Sequence, residues 1–596
     1  DMARMEASPK TKLNKQSTLG YKSFGSSNQL ADGSSPSDLT FAFSSLAAAT
    51  DPFHLKQLAP NGTNLFDQSP SNQEADEDCS SRGTPITVYA LSTIFAMPVS
   101  IALVLQIYLG ESLVFQHGEL FSDHERCTAL GHRVLRDGGS SVDAAIAGAL
   151  CLGVVHPHVS GVGGGGIMLV HDIHRNETRV INFLGSAPKA FRREVLHNVS
   201  QAKAGLQVGV PGMLRGLHRA HTLYGGLPWE DVVSRAAAVA REGFNVSHSL
   251  ADAISKVSGE QQSQSFNNAF MPHGRPLSAG SYVRLPRLAG VLEAGLLNFY
   301  HGNLSQEIVD EVQANGGVLS REDIGNYSVD VELPIEVPPP PSAGAVLLSA
   351  LNLLEGLHIS KSNVTETQTR LWIAEALKTA LAMASGLGDP NYNSSVTEAL
   401  SDMLSKSQAE VFGQQLNYSH TSPSEYLSPI HSTQTELVAG QVIVMGQDKL
   451  IVSVASSLSR PFGSRLITQS GIVLNSLILD FSWPNTSREQ LQTNQPGKRP
   501  LSLLMPIIVV PALHKCGIHM AVSTSGEQNA LSVITQMLVN VLFFHTEKND
   551  SFSLTGLHHQ FEPNKLLVHC DSLSRSGQSF HAKAHAVQRV RTEESY

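Results

Sequence analysis

The chain has 596 residues, 41% hydrophobic and 16% charged, with a formal net charge of −10. That length can bury a large core in one or two domains. The acidic balance and the lack of any basic run exclude a dedicated nucleic-acid binder, and five cysteines without a CxxC exclude a disulfide scaffold, a zinc ribbon and a redox pair.

Residues 1–85 are rich in Ser, Asn, Asp and Thr and hold no sustained period, which predicts a disordered tail. Ile86 to Leu109 then runs for 24 residues without a charge. At about 1.5 Å per residue it spans the roughly 30 Å hydrocarbon layer, and Pro98 kinks such a helix without forbidding it. A buried core helix is the alternative, and the length argues against it. Glycosylation sequons follow the span at Asn176, Asn198, Asn245, Asn303, Asn326, Asn363, Asn393, Asn417, Asn485 and Asn549, and a single one, at Asn61, precedes it. Arg82 lies before the span and no Lys or Arg follows until Arg126, a weak cue of the same sense. The expectation is a single-pass type II membrane glycoprotein. Its N-terminus is cytosolic, and its ectodomain, 110–596, is extracellular or lumenal. Cys79 is then a cytosolic candidate for palmitoylation beside the bilayer.

The ectodomain opens with "RCTALGHRVLRDGGSSVDAAIAGALCLGVV", read as two helices separated by the turn Asp137-Gly138-Gly139. Ser141 is the expected N-cap of the second helix, with Asp143 in its first turn. Cys127 and Cys151 fall on these helices, either as a bridge or as two buried thiols. Gly163 to Gly166 precede an apolar strand with no Gly-Lys-Ser/Thr behind them. A close-packed turn that only backbone can fill fits better than a phosphate cradle. "GIMLVHDI" and "TRVINFL" read as a hairpin. "VGVPGMLRGLHRAHTLYGGLPWEDVVSRAAAVAREGF" reads as helices broken at Gly-Leu-Pro. Two more helices follow, after "PPPPSAG" and in "TRLWIAEALKTALAMASGLGDP". Strands then dominate in "GQVIVM", "KLIVSVASS", "LITQSGIVLNSLILDF", "RPLSLLMPIIVVPAL" and "GIHMAVSTSG", before the helix "ALSVITQMLVNVLFF". Helices, strands and helices again predict layered α/β or α+β packing.

Histidines occur at His156 and His158, at His558 and His559, and at His581 and His585. They offer no HExxH and no set of three or four convergent ligands, so no metal and no cofactor is expected. Asp480 reads on its own as a solvent-facing carboxylate at a strand end. The stretch after about Asp571 is polar and basic and continues no recognisable pattern.

The segments "DGGSSVDAAIAGALCLG", "GVGGGG", "VPGMLRGL", "LPWEDVV", "GLGDP", "FGSRLITQSGIVLN", "LDFSWP" and "PGKRPLS" together resemble the gamma-glutamyltransferase (glutathione hydrolase) family, from about Ser122 to Asn564. The resemblance implies an α+β fold, the αββα four-layer N-terminal-nucleophile hydrolase sandwich. It divides the ectodomain into a large-subunit-like part, 110–438, and a small-subunit-like part, 439–596. It also implies a disulfide between Cys127 and Cys151. Active members cut themselves before a Thr, which then attacks the gamma-glutamyl amide with its own amine as base. That position falls at Ala439, in "TELVAGQVIVM". A methyl group can neither attack a carbonyl nor perform the acyl shift. Ser432, Thr433 and Thr435 lie upstream, and Thr435 is roughly 13 Å away along an extended chain.

The other implied site positions are mixed. Ser457 stands where a supporting Thr is expected, and Ser459 replaces a substrate-binding Asn. Asp480 keeps one of two acids for the substrate amino group, and the other falls at Leu477. Leu184 replaces the Arg that pairs with the substrate carboxylate. Ser502 keeps one of a serine pair, beside Leu503. Gly526 keeps one of the oxyanion-hole glycines, beside Ser525. Nucleophile, carboxylate clamp and part of the amino clamp are lost together. The resemblance therefore implies a catalytically impaired or inactive member of glutathione metabolism, binding a gamma-glutamyl ligand or holding a partner that the sequence does not identify. An active glutathione hydrolase and gamma-glutamyl transferase is the alternative, and a purely structural role is a third.

Overall fold

The computed structural model describes residues 96–101, 118–192, 203–259, 262–334, 337–357, 359, 366–384, 387–418, 438–482, 495–511, 519–524, 529–544, 557–561, 564–569 and 586–590. Residues 96–101 form a helical stretch within a unit, 45–116, separate from the unit holding all the others. The expected span 86–109 thus lies outside the described residues apart from that stretch. Among the described residues no helix is long and apolar enough to cross a membrane.

The larger unit begins with β1 (Glu119–Ser122), α1 (Glu125–Arg136) and α2 (Ser141–Val155). Helix α1 is amphipathic and buries Cys127, Leu130, Gly131 and Val134, whereas every residue of α2 is buried. Asp137 ends α1, as the Asp-Gly-Gly turn predicts, and Cys127 and Cys151 form a disulfide between the two helices. The expected cap at Ser141 is corrected by one residue. Ser140 caps α2, accepting from Asp143 N at 3.0 Å while Asp143 accepts from Ser140 N at 2.9 Å. Asp448, in a distant hairpin turn, takes Ser141 for itself, accepting from its N at 2.7 Å and from its hydroxyl.

The hairpin of β2 (Gly165–Asp172) and β3 (Glu177–Asn182) forms as expected. Next come α3 (Met213–Tyr224) and α4 (Trp229–Glu242), divided at Gly-Leu-Pro, and after further helices β4 (Asp330–Glu332). Helices α5 (Gly344–Glu355) and α6 (Glu366–Ala384) precede β5 (Val438–Met445) and β6 (Leu450–Ser459). Strands β7 (Ile507–Val509) and β8 (Met520–Val522) pair antiparallel, and α7 is Asn529–Leu542. Three short strands follow: β9 (Leu557–Phe561), β10 (Asn564–His569) and β11 (Ala586–Val590).

One six-stranded antiparallel sheet, in the order β1-β5-β6-β2-β3-β4, organises the unit. Strands from before and after residue 439 interleave in it, so neither part can complete the sheet alone. Alternation along the strands divides its two faces. Met168, Val170, Val442, Val444, Val452 and Val454 join the core shared with α1, α2, α3 and α4. Ile167, Leu169, Val180 and Ala455 point the other way, towards Leu504 and Ile508 near β7. Beyond them Ile507, Met520 and Val522 pack with α5, α6 and α7. Helices, sheet, smaller sheet and helices are thereby stacked in four layers.

One expected strand does not form. In "LITQSGIVLNSLILDF", Ile467 and Val473 make a lone bridge around the turn at Gly471, whose φ is 92°. Residues Leu477–Ser482 then wind into a 3-10 turn. The apolar run reads like a strand because its residues are buried, and the turn is imposed by Asn475, described below.

Candidate functional site

Ala439 is the second residue of β5, half-buried and packed against the small cluster that contains Ile167, Leu169, Leu184 and Leu504. Pairing with β6 slips there. Val438 faces Ser459 and Gly440 faces Ser456, so Ala439 lies opposite a two-residue bulge, Ser457 and Leu458. The Ser457 hydroxyl donates to the carbonyl of Val438, the acyl oxygen of the Val438–Ala439 peptide bond, and accepts from Ser459 N at 2.7 Å.

Ser459 takes a left-handed φ of 77°, a strained value for a residue with a side chain. That turn aims its hydroxyl at Asp480, with Oγ donating to Oδ1 at 2.7 Å. The sequence reading of Asp480 as a solvent-facing strand end is therefore corrected. The residue is only partly exposed and sits in the 3-10 turn. Burial of the carboxyl pushes its pKa up to about 6, against the opposing pull of the Arg460 charge and the Ser459 hydrogen bond.

Asn475, missed in the sequence reading, sets that turn. It is fully buried and uses its whole amide. Nδ2 donates to Gly163 O at 2.7 Å and Gly209 O at 2.9 Å, and Oδ1 accepts from Gly209 N at 2.8 Å and Leu477 N at 3.1 Å. A lone Asn inside an apolar run is the signal that could have found it, because a buried amide must satisfy four hydrogen-bonding groups. The glycine run lies alongside. A Cβ on Gly163 would fall 2.1 Å from Val473 O, and one on Gly164 would fall 2.3 Å from Ser457 O, so backbone alone fits.

The two leucines that the resemblance sets at clamp positions, Leu184 and Leu477, are buried. Leu184 shares the apolar cluster with Ala439, and its backbone is held by Asn182 and Tyr327. Leu477 packs over Gly185. Ser502 is half-buried and occupied by backbone, donating N–H to Pro341 O at 2.7 Å and accepting at Oγ from Leu504 N at 3.2 Å. Leu503 is half-buried beside it. The structure thus gathers Val438, Ser457, Ser459 and Asp480 into one hydrogen-bonded row, with Ala439 and Leu184 together in the apolar cluster at its start. Ser432, Thr433, Thr435, Ser525 and Gly526 lie outside the described residues.

His156 and His158 are buried, and their Nε2 atoms meet the Ser247 and Ser249 hydroxyls at 3.0 Å and 2.9 Å, while the buried Nδ1 of His158 has no partner among the described residues. Among the described residues no group of three or more His, Cys, Asp or Glu is placed to hold a metal. The side chains of His558, His559, His581 and His585 are outside the description. Of the sequon residues, Asn176, Asn245, Asn303 and Asn326 are exposed and Asn393 is half-buried. The Asn417 side chain, and Asn198, Asn363, Asn485 and Asn549, are not among the described residues.

Comparison with known proteins bears on this geometry. Residues 127–595 match the family model described as gamma-glutamyltranspeptidase. Glutathione hydrolase 7 of Homo sapiens is 47% identical over 536 residues, covering 87% of this chain and 81% of its own. Glutathione hydrolase 2 of Arabidopsis thaliana is 32% identical over 481 residues, covering 76% of this chain and 82% of its own. Among solved structures, cephalosporin acylase from Bacillus halodurans has the same fold, with a TM-score of 0.66 at 22% identity over 80% of this chain and 89% of that one.

Proposed function

Because the chain belongs to the gamma-glutamyltranspeptidase family, we propose that it is a non-cleaving, membrane-anchored member that binds a gamma-glutamyl ligand or holds a partner without turning substrate over. The observation that carries this reading is the methyl of Ala439 at the opening of β5. Family chemistry needs an oxygen or sulfur nucleophile there, to attack the preceding carbonyl during self-cleavage and the amide of the substrate afterwards. Loss of one nucleophile can cost several orders of magnitude in rate. Leu184 and Leu477 add an apolar wall where charged clamps would hold substrate.

The anchor and the glycans belong to the same proposal. They rest on the uncharged stretch Ile86 to Leu109 and on the sequons that follow it. A second reading, an active glutathione hydrolase, is favoured by one feature: the Ser457 hydroxyl already holds the carbonyl of Val438, and Ser459 and Asp480 extend the row.

Intact mass of the deglycosylated ectodomain, with N-terminal sequencing of any fragments, separates the two. One uncut chain is expected. Two chains, the second opening on Thr or Ser, would identify a nucleophile directly and establish the active reading.

A further inference from the structure

The loop from His156 to Ser160, between α2 and the glycine run, supports the segment that carries Ser459. Its carbonyls hold that segment on both sides of Ser459. Val159 O accepts from Leu458 N at 3.0 Å, and His158 O accepts from Phe462 N at 2.9 Å. The Ser160 and Ser456 hydroxyls also meet, at 2.7 Å. Ser459, with its left-handed φ of 77°, lies between these ties. A backbone so strained persists only while its surroundings over-determine it.

The same loop carries two buried imidazoles. His156 lies between His124 and His158, with ring centroids 5.2 Å and 5.1 Å away, and His158 packs at 6.0 Å from Phe462, which ends the turn. The elements around them present no counter-charge for a proton. The helix His248–Val257 and its cap present the hydroxyls of Ser247 and Ser249, while His248, Asp252 and Lys256 are exposed. The start of α1 presents His124, on which Glu125 and Arg126 act in opposite senses. The turn presents the Phe462 ring, and its charged residue, Arg460, acts on Asp480. Nδ1 of His158 is buried without a hydrogen-bond partner among the described residues. A proton on either ring would therefore be a buried charge beside other imidazoles. An apolar cavity of about 40 Å³, lined by Gly153, Pro157, Gly161, Phe270, Ile467 and Val473, backs the loop with space rather than packed atoms.

We propose that His156 and His158 form an acid-released latch on the Ser459 turn. With both imidazoles neutral the loop stays seated and holds Leu458 and Phe462. When the imidazoles take up protons the loop leaves its place, the charged rings reach water and the ties to Leu458 and Phe462 break. Ser457 and Ser459 then lose the positions that set the row. That the row is the ligand site rests on the reading above, and the release of the loop does not. Burial holds His156 well below the usual imidazole value and His158 at about 3, so the seated loop binds fewer protons than the released one and acid favours release. For a released imidazole that titrates near about 6.5, the gain on going from about pH 7.5 to 5 is roughly 30-fold per histidine.

Backbone hydrogen–deuterium exchange of the full chain in detergent, at about pH 7.5 and 5 and corrected for the intrinsic effect of pH, tests the latch. Peptides covering 156–162 and 456–464 should gain exchange together, by at least about a hundredfold, while peptides from α4 and β3 keep theirs. His156→Gln and His158→Gln should each cut that gain at least about tenfold. No gain at 456–464 in the parent chain would overturn the latch without recourse to any variant. An equal gain in α4 and β3 would make the event global unfolding and overturn it as well. A gain that persists undiminished in both variants would assign the acid response to other groups and overturn the role of the histidines.

Discussion

At Ala439 the side chain ends in a methyl packed with Ile167, Leu169 and Leu184, while the Ser457 hydroxyl lies on the carbonyl just before it. An Ala439→Thr substitution would place a hydroxyl beside that carbonyl. It is expected to produce partial self-cleavage, seen as two fragments by mass, the second opening on the introduced threonine followed by Gly440. Glutathione turnover by this variant should stay at least about a thousandfold below that of an active relative. Leu184 supplies no donor for the substrate carboxylate, which leaves the acyl group less firmly placed. Displacements of about 1 Å can cost a hundredfold. Robust turnover would show that the leucine substitution matters little. Asp480 and Asn475 show what residue-level reading misses. Both sit in an apolar run whose local pattern suggests a strand, and only contacts from Ser459, Gly163 and Gly209 reveal one as a half-buried, hydrogen-bonded acid and the other as a tie.

Helix α2 is legible as an element because Ala, Ile, Leu and Val fill it after a turn of glycines. Its anchoring is not. Asp143 is fully buried and accepts from Ser140 N, from Gly226 N at 2.8 Å and from Leu227 N at 2.8 Å, with His221 at 3.6 Å. One carboxylate thus caps its own helix and fixes the loop between α3 and α4, a contact 83 and 84 residues away. Asp143→Ala should destabilise the protein by about 2–4 kcal/mol, because three backbone donors lose a charged acceptor in the interior. Asp137→Ala, which removes an exposed partner of Arg235, should cost less than about 1 kcal/mol. Thermal unfolding of the two variants side by side checks the difference. Similar melting points would remove Asp143 from that role.

Across the molecule, three histidines form a row from the start of α1 into the core. Ring centroids are 5.2 Å apart for His124 and His156 and 5.1 Å for His156 and His158, and His158 reaches Phe462 at 6.0 Å. Burial lowers all three pKa values, holding His156 well below the usual imidazole value and His158 at about 3, while Glu125 and Arg126 act on His124 in opposite senses. Below about pH 6.5 the unfolded chain binds protons that the native row does not, so stability is complete above that pH and falls as pH drops through it. The Tm should hold from about pH 8 to 7 and decline between about 6.5 and 5. His158→Gln, which keeps a partner for Ser249, should flatten the decline. An unchanged slope would assign acid sensitivity to other groups.

From the sequence by itself came layered α/β or α+β packing, the order of most elements, the glycine turn, the helix pair with its cysteines and the alanine at position 439. These depend on local period, on turn chemistry and on the identity of one side chain. Tertiary structure alone decided that strands from both sides of residue 439 share one sheet, that Asn475 folds an apolar run into a turn, and that the Ser459 hydroxyl meets Asp480. Such features depend on which distant backbone groups meet a buried polar atom, and hydrophobic pattern carries no record of that.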